Sequence, residues 1–523
     1  MPDTKTTSKD LNDAILRAAR ILRKKLNAAE NYKIVLALLF IKRLNDTYEE
    51  NCKKFEKKYG AKEAENPRRH LAAGAFPIPK DARWKITDSK GEITGGLISF
   101  RTKLGSALIA ACQAIEDSSK NLEDTMNYQE FNNKKKYSDE SLRELILEFD
   151  NVALGNDSLE NPDILGDAYE YLLETFADET KKKGGQFYTP REVVRLLVEL
   201  MDPQSNHSIC DPMCGSGGFL IHSRKYVQEN LKKNENIRSM TLHGQDSNPD
   251  TVSMCKMNMV LHEIPDARIE DGDVLEKPKL VDGSKLITYD RVLANFPFSE
   301  DWKPSGKDKD AFGRFKYGIP PGDKKADFAF IQHMFTSLKE NGKAAIVSGQ
   351  GTLFRGSKEE AIRKKMILGD KENNLQGDII EGIIALPQKL FFGTSIPGCV
   401  YILNKNKPKD RKNKIIFIYA ARLGHFAELP ARNKLRRTDM DELIDAFKNY
   451  KEEYGFCHIA DLEEIKENEF NLNIPRYVDT SIPEEPVDIP ETIQKLDELK
   501  NAVNDSREKV SKDLEELQLG VLP

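Results

Sequence analysis

The sequence predicts an α/β protein with a mainly parallel sheet, set between a helical N-terminal segment and a helical tail. Three observations carry this reading. From about residue 160, short apolar runs (HSIC, TLHGQD, RVLANF, KAAIVSG, DIIEGIIAL) alternate with helical patterns such as DTVSMCKMNMVLHEI and ADFAFIQHMFTSLKEN, and strands interleaved with helices imply parallel pairing. Before that point the apolar spacing reads as helical. Near residue 480 a Pro-rich acidic stretch, SIPEEPVDIPET, leads into an amphipathic segment.

Taken in order, LNDAILRAARILRKKL sets Leu11, Ile15, Ala18, Leu22 and Leu26 on one helix face, with Ser8 or Asp10 as its cap. NYKIVLALLFIKRLNDTYEE reads as a buried helix, LISFRTKLGSALIAACQAI and SDESLRELILEF as further helices, and KYGAKEAENPRRH as a loop. Residues 1–155 are expected to form an α-helical domain, residues 156–480 the α/β domain, and residues 481–523 a linker and a tail helix. In that tail Ile493, Leu496, Val503, Val510, Leu514 and Leu517 fall at heptad positions. Such a stripe wants a partner helix, from this chain or another.

Length and composition bound the class. At 523 residues the chain exceeds one ordinary domain. With 39% hydrophobic and 32% charged residues it reads as soluble, and no apolar run approaches the roughly 20 residues that span a bilayer. Its polar start lacks the apolar core of a secretory signal. Seven scattered cysteines without paired spacing point to a reducing cytosol and to no metal site. A net charge of −5 argues against a surface coated in positive potential, yet allows a basic cleft. Lysine and arginine do cluster in KPSGKDKDAFGRFK (303–316) and NKNKPKDRKNK (404–414), each of which also reads as a solvated loop.

The chemistry begins at SICDPMCGSGGFL, residues 208–220. A strand ends in Asp211, and the loop 214–218, with Gly215, Ser216, Gly217 and Gly218, opens a helix. In open α/β sheets ligands bind beyond the carboxyl ends of the strands, and glycines let backbone approach them closely. No Gly-Lys-Ser/Thr ending follows and the spacing is not G-x-G-x-x-G, which speaks against an ATP motor and a dinucleotide fingerprint. Asp246 and Asp273 stand at the ends of the next two strand candidates. Each alone reads as a loop acid or cap; in sequence after successive strands they suit a nucleoside-bearing cofactor.

Asn295, Phe296, Pro297 and Phe298 directly follow the strand RVLA. Here the chain resembles the amino-methyltransferases that act on DNA, whose signature is Asn/Asp/Ser-Pro-Pro-Tyr/Phe. GGQFYTPREVV (184–194), DPMCGSGGFL, the tetrad, ALPQKLFFGTSIPGCVYILNKNK and NLNIPRYVDT occur in one order behind a helical segment. Together they resemble the modification subunit of type I restriction–modification systems over residues 10 to 480. The resemblance implies a Rossmann-like methyltransferase domain, S-adenosylmethionine as cofactor, and the exocyclic N6 amine of adenine as target. Gln186, Phe187, Tyr188, Thr189, Pro190 and Arg191 would frame the methionine end of the cofactor, Asp211 and the glycine loop would lie beneath it, Asp246 at the ribose and Asp273 at its adenine.

That amine is a poor nucleophile, because its lone pair is delocalised into the ring. The Asn295 side-chain oxygen and the Phe296 carbonyl can accept its two hydrogens, while Phe298 stacks on the base; this is placement with electrostatic stabilisation. A carbonyl is available from phenylalanine as well as from proline, but Phe296 gives up proline's fixed φ. The base must first leave the duplex. Lys303, Lys307, Lys309, Arg314 and Lys316 are candidates for contacts to the DNA backbone. No helix-turn-helix or zinc module is present to read bases. The resemblance therefore implies a separate specificity subunit, a second copy of this chain, cleavage and ATP hydrolysis on a further restriction subunit, and a place in the prokaryotic cytoplasm with the nucleoid. Two alternatives stay open: cytosine-N4 methylation, which poses the same chemical problem, and a non-catalytic scaffold that binds cofactor and DNA, which Phe296 favours.

Overall fold

The computed structural model describes residues 5–23, 28–126, 129–161, 164–180, 189–233, 235–298, 300–302, 310–322, 325–391, 395–422, 424–430, 432–481 and 489–517. Helix α1 (Ser8–Arg23) is capped by Thr7 rather than by Ser8 or Asp10. The Thr7 hydroxyl accepts the Asp10 N–H at 3.3 Å, and the Asp10 carboxylate accepts the Thr7 N–H at 2.9 Å. This reciprocal box satisfies two end groups at once. Helices α2 (Ala28–Tyr59), α3 (Leu104–Asp117), α4 (Asp139–Asp150) and α5 (Ile164–Thr180) share one apolar core with α1. The stretch expected to be a loop holds two short helices, Ala61–Ala64 and Pro67–Ala72. The second starts because Asn66 accepts the Arg68 N–H at 3.1 Å and Pro67 takes the first turn, where its missing N–H is harmless.

Strands β1 (Ser208–Asp211), β2 (Thr241–Asp246), β3 (Arg268–Asp271), β4 (Tyr289–Asn295), β5 (Leu338–Gly349), β6 (Ile380–Ala385), β7 (Gly398–Asn404), β8 (Lys414–Tyr419) and β9 (Cys457–Asp461) form one sheet. Its order is β9-β8-β6-β7-β5-β4-β1-β2-β3. Five neighbouring pairs are parallel and three antiparallel, the latter made by β7 and β9. The expected mainly parallel sheet is therefore what forms. Its central strands are buried on both faces: Ile384, Val400 and Ile402 enter one core with helices α6 (Arg191–Met201), α7 (Gly218–Glu229) and α11 (Arg437–Asn449). Ile383, Tyr401 and Leu403 enter the other with α9 (Asp327–Thr336) and α10 (Lys358–Leu368). The strand period of two sorts neighbours to opposite faces.

Helix α8 (Pro249–Leu261) has two apolar sides. Val252, Cys255 and Met259 pack on the sheet, while Met254, Met257 and Leu261 complete the core of the helical segment. Its two apolar faces join two cores, and Met1–Asp479 is a single compact unit. Thr480–Pro523 is a second unit. In its helix α12 (Ile489–Glu516) Ile493, Leu496, Val503 and Val510 are exposed, as is Leu517 just beyond it. Among the described residues no helix is long and apolar enough to cross a membrane.

Within the basic run 404–414, where residues 408–410 and 412–414 are exposed, Lys407 departs from the solvated-loop reading. Lys407 is buried, and its ammonium donates to Asp378 and to the carbonyls of Ile380 and Lys414. It ties the end of β7 to β6 and β8.

Candidate active site

The order reverses between β1 and β4, since β2 and β3 lie on one side of β1 and β4 and β5 on the other. Chain ends on either side of such a switch leave a crevice. Here it is a cavity of about 290 Å³, at the lower end of small-molecule sites.

Its floor is the loop after β1. The Cys214 N–H donates to the Gln245 carbonyl at 2.9 Å, and the Gly215 N–H to the Asp246 carboxylate at 3.1 Å. The Asn258 amide donates to the Ser216 carbonyl at 2.9 Å. Glycine is required at 217: φ is +85°, and a Cβ there would stand 2.3 Å from the Met259 methyl and 2.9 Å from the Cys255 sulfur. Gly217 thus serves packing, while Gly215, Ser216 and Gly218 line the cavity.

Asp211, Asp246 and Asp273 all line it as well. Asp211 is buried and accepts the Met213 N–H at 3.2 Å. Burial, with Asp246 nearby, pushes its carboxyl well above the usual range. Burial also raises Asp246, against the N–H groups of Asn248 and Gly215 that favour its charged form. Two desolvated carboxyls on one wall suit a ligand that is cationic or donates hydroxyls. Asp273 also caps the turn that follows it, because one carboxylate oxygen accepts the N–H groups of Leu275 and Glu276 at 2.7 and 3.1 Å.

Asn295 ends β4 and lines the same cavity. Its amide nitrogen donates to the Thr189 hydroxyl at 3.1 Å, and its Oδ1 is buried with no hydrogen-bond partner among the described residues. An orphaned buried acceptor is rare and costly; here it is a ready receptor for an N–H. Phe296 has its ring in the core, stacked on Phe330 with centroids 5.0 Å apart and planes at 23°. Pro297 lines the cavity, and Phe298 is half-buried, edge-on to Phe391 at 5.9 Å.

Of the other expected residues, Thr189 and Arg191 line the cavity and Pro190 caps α6. Gln186, Phe187, Tyr188, Lys303, Lys307 and Lys309 lie outside the described residues. Lys316 is exposed. Arg314, expected to face the DNA backbone, is instead buried: it pairs with Asp310 at 2.8 Å and donates to the carbonyls of Val274 and Leu275 at 3.0 and 2.9 Å. It braces the turn after Asp273. Sequence reasoning passed over Glu170, His222, Asn248 and Phe330, which also line the cavity. Only Asn248, a helix cap before a proline, carried a local signal.

A switch-point cavity walled by strand-end acids thus closes on an asparagine with an open acceptor. Residues 160–485 match the N-6 DNA Methylase family and residues 11–149 the HsdM N-terminal domain. The MjaVII methylase subunit of a type I restriction enzyme from Methanocaldococcus jannaschii is 31% identical over 506 residues, 95% of this chain and 83% of that protein. The MjaVIII methylase subunit from the same organism is 37% identical over 369 residues, 68% of this chain but 60% of that relative's length. The crystal structure of a type I restriction–modification methyltransferase subunit from Streptococcus thermophilus superposes with a TM-score of 0.75 at 28% identity, covering 91% of this chain and 100% of that one. The chain belongs to this family, the N-6 DNA methylases found as methylase subunits of type I restriction enzymes. Its enzyme class is accordingly DNA adenine methyltransferase.

Proposed function

We propose that the chain transfers a methyl group from S-adenosylmethionine to the N6 amine of an adenine flipped out of double-stranded DNA, at sites chosen by a separate specificity subunit. The observation that carries it is the unpartnered Asn295 Oδ1 at the edge of the acid-walled cavity. The residues fit the cofactor: Asp246 and Asp273 line the cavity and would accept hydrogen bonds from a ribose and an adenine edge, and buried Asp211 would favour positive charge. When bound, S-adenosylmethionine supplies an electrophilic methyl on a sulfonium.

The chain's own residues position the amine. Thr189 holds the Asn295 amide nitrogen, so the amide oxygen is the atom left for the amine hydrogen. The Phe296 carbonyl offers the second acceptor. Accepting both hydrogens draws the nitrogen towards tetrahedral geometry and returns its lone pair, which is stabilisation that grows towards the transition state. Phe298, backed by Phe391, offers a face for the base. Extruding the base costs a few kcal/mol, which contacts to DNA by this chain and its partners must offset.

The burial of the Phe296 ring against Phe330 supports reading that residue as a packing choice rather than as the mark of a scaffold. The exposed apolar stripe of α12 supports docking to a specificity subunit or to a second copy of this chain. Cleavage and ATP hydrolysis are assigned to another subunit. The test is transfer of labelled methyl to unmethylated DNA by the chain with its specificity subunit. Label in N6-methyladenine, lost in Asn295→Ala, is expected. Binding of cofactor and DNA without transfer would overturn the catalytic reading.

A further inference from the structure

The cavity has one wall that the chemistry above leaves unused. Among its described lining residues, Glu170 alone precedes residue 189. It lies on α5, whose Leu165, Ala168, Tyr169 and Leu172 belong to the core of the helical segment. Its Oε2 accepts from the Arg191 Nε at 2.5 Å and stands 3.7 Å from the His222 Nε2. Its Oε1 stands 3.8 Å from the His262 Nε2. Those last two distances exceed a hydrogen bond, and among the described residues Oε1 and both Nε2 atoms are buried without a partner. Around them Arg191 also meets Asp167 at 3.2 Å, and Lys225 meets Asp167 at 3.6 Å.

This is a built arrangement. Gly166, one turn before Glu170, has a Cβ position 1.9 Å from the His262 Cε1, so any side chain there would expel the ring. Burial holds His262 down to about 3, which leaves it neutral. Burial alone would raise the Glu170 carboxyl, but the His222 ring and Arg191 outweigh it and hold it well below the usual range. A fixed negative charge therefore sits in the cavity wall.

Its place along the cavity tells which end of a ligand it meets. Asp273 follows β3, the sheet's edge, whereas Thr189 bonds Asn295 at the end of β4. The nucleoside acids and the transfer site are thus at opposite ends, and Glu170 reaches the transfer end through Arg191, two residues from Thr189. On the cofactor assigned above, the amino-acid chain is attached to the sulfur that carries the transferred methyl, so it lies at this end too. We propose that Glu170 is a positioning residue for the amino-acid end of the cofactor: it fixes Arg191, and with His222 it sets the charged wall against which that end lies.

This rests on the cofactor reading, and the test separates the two. Binding of S-adenosylmethionine, S-adenosylhomocysteine and 5′-methylthioadenosine to the full chain is measured by calorimetry for wild type, Glu170→Gln and Glu170→Asp. Methylthioadenosine keeps the nucleoside and sulfur but lacks the amino-acid chain. In Glu170→Gln the first two ligands are expected to weaken by about tenfold to a hundredfold, the scale of a lost charge-assisted hydrogen bond, while methylthioadenosine is unchanged. Glu170→Asp keeps the charge but draws it back from Arg191, and a smaller loss with the same selectivity is expected. Equal weakening of all three ligands, or of none, would overturn the proposal while leaving the cofactor reading intact. Failure of wild type to bind any of them would remove the cofactor reading, and the proposal with it.

Discussion

Replacing Thr189 by valine tests whether the amide of Asn295 is held in one orientation for catalysis. Valine keeps the shape of threonine but cannot accept the 3.1 Å hydrogen bond from the Asn295 Nδ2. The amide is then free to turn over, and a donor would face the amine where an acceptor is needed. A neutral hydrogen bond contributes about 0.5–1.5 kcal/mol net, so the methyl-transfer step should slow by about two- to twelvefold. Asn295→Ala deletes the acceptor itself, and losing one such group costs about a hundred- to a thousandfold. Thr189→Ser restores the hydroxyl and should recover most of the rate.

The assay is single-turnover methyl transfer by the assembled complex with cofactor and DNA both saturating, so that the rate reports the chemical step rather than affinity. Thr189 also lines the cavity proposed to hold the cofactor, which makes the distinction necessary. If Thr189→Val only weakens cofactor binding and leaves the saturated rate untouched, the hydrogen bond does not orient Asn295 and the argument fails. An equal deficit in Thr189→Ser would also refute it, since serine keeps the acceptor.

Gly217→Ala should cost about 1–3 kcal/mol, from the strained φ and the approach to Met259 and Cys255, and should weaken cofactor binding; denaturation and calorimetry read both. Arg314→Ala leaves Asp310 and the carbonyls of Val274 and Leu275 without their donor, so the fold should lose about 3 kcal/mol while the salt dependence of DNA binding stays as it was. Phe296→Pro keeps the second carbonyl acceptor but empties the place stacked on Phe330. Such a core deletion costs about 3 kcal/mol, so the midpoint of unfolding should fall while methyl transfer persists at low temperature. Asp211 and Asp246 both titrate above the usual carboxylate range. A cationic, hydroxyl-bearing ligand favours their charged forms, so cofactor binding should release protons and weaken as pH falls through their raised values. Calorimetry in buffers of different ionisation enthalpy counts those protons, and uptake instead of release would contradict the assignment.

What could be read beforehand, and what could not, follows from the range of the interactions. The glycine loop, the acids at 211, 246 and 273 and the tetrad at 295–298 are local signals, because a strand end and the turn after it are set by adjacent residues. Strands β7 and β9 were missed for the opposite reason: GCVYILN is an unbroken apolar run inside a longer motif, and CHIAD earns its place only by pairing with β8. Arg314 shows the same limit in a charge. In sequence it is one of five cations after the tetrad, and only the fold reveals that two backbone carbonyls 39 and 40 positions away take its donors. Glu170 is the sharpest case, since its partners come from three later segments. Phe296 could be judged only against Phe330, which the tetrad does not contain. A substitution that looks like the decay of a motif is, once α9 is in place, a core contact beneath a carbonyl that any residue would supply. On the proposed chemistry the site needs only the backbone at 296, and the side chain is left to the core.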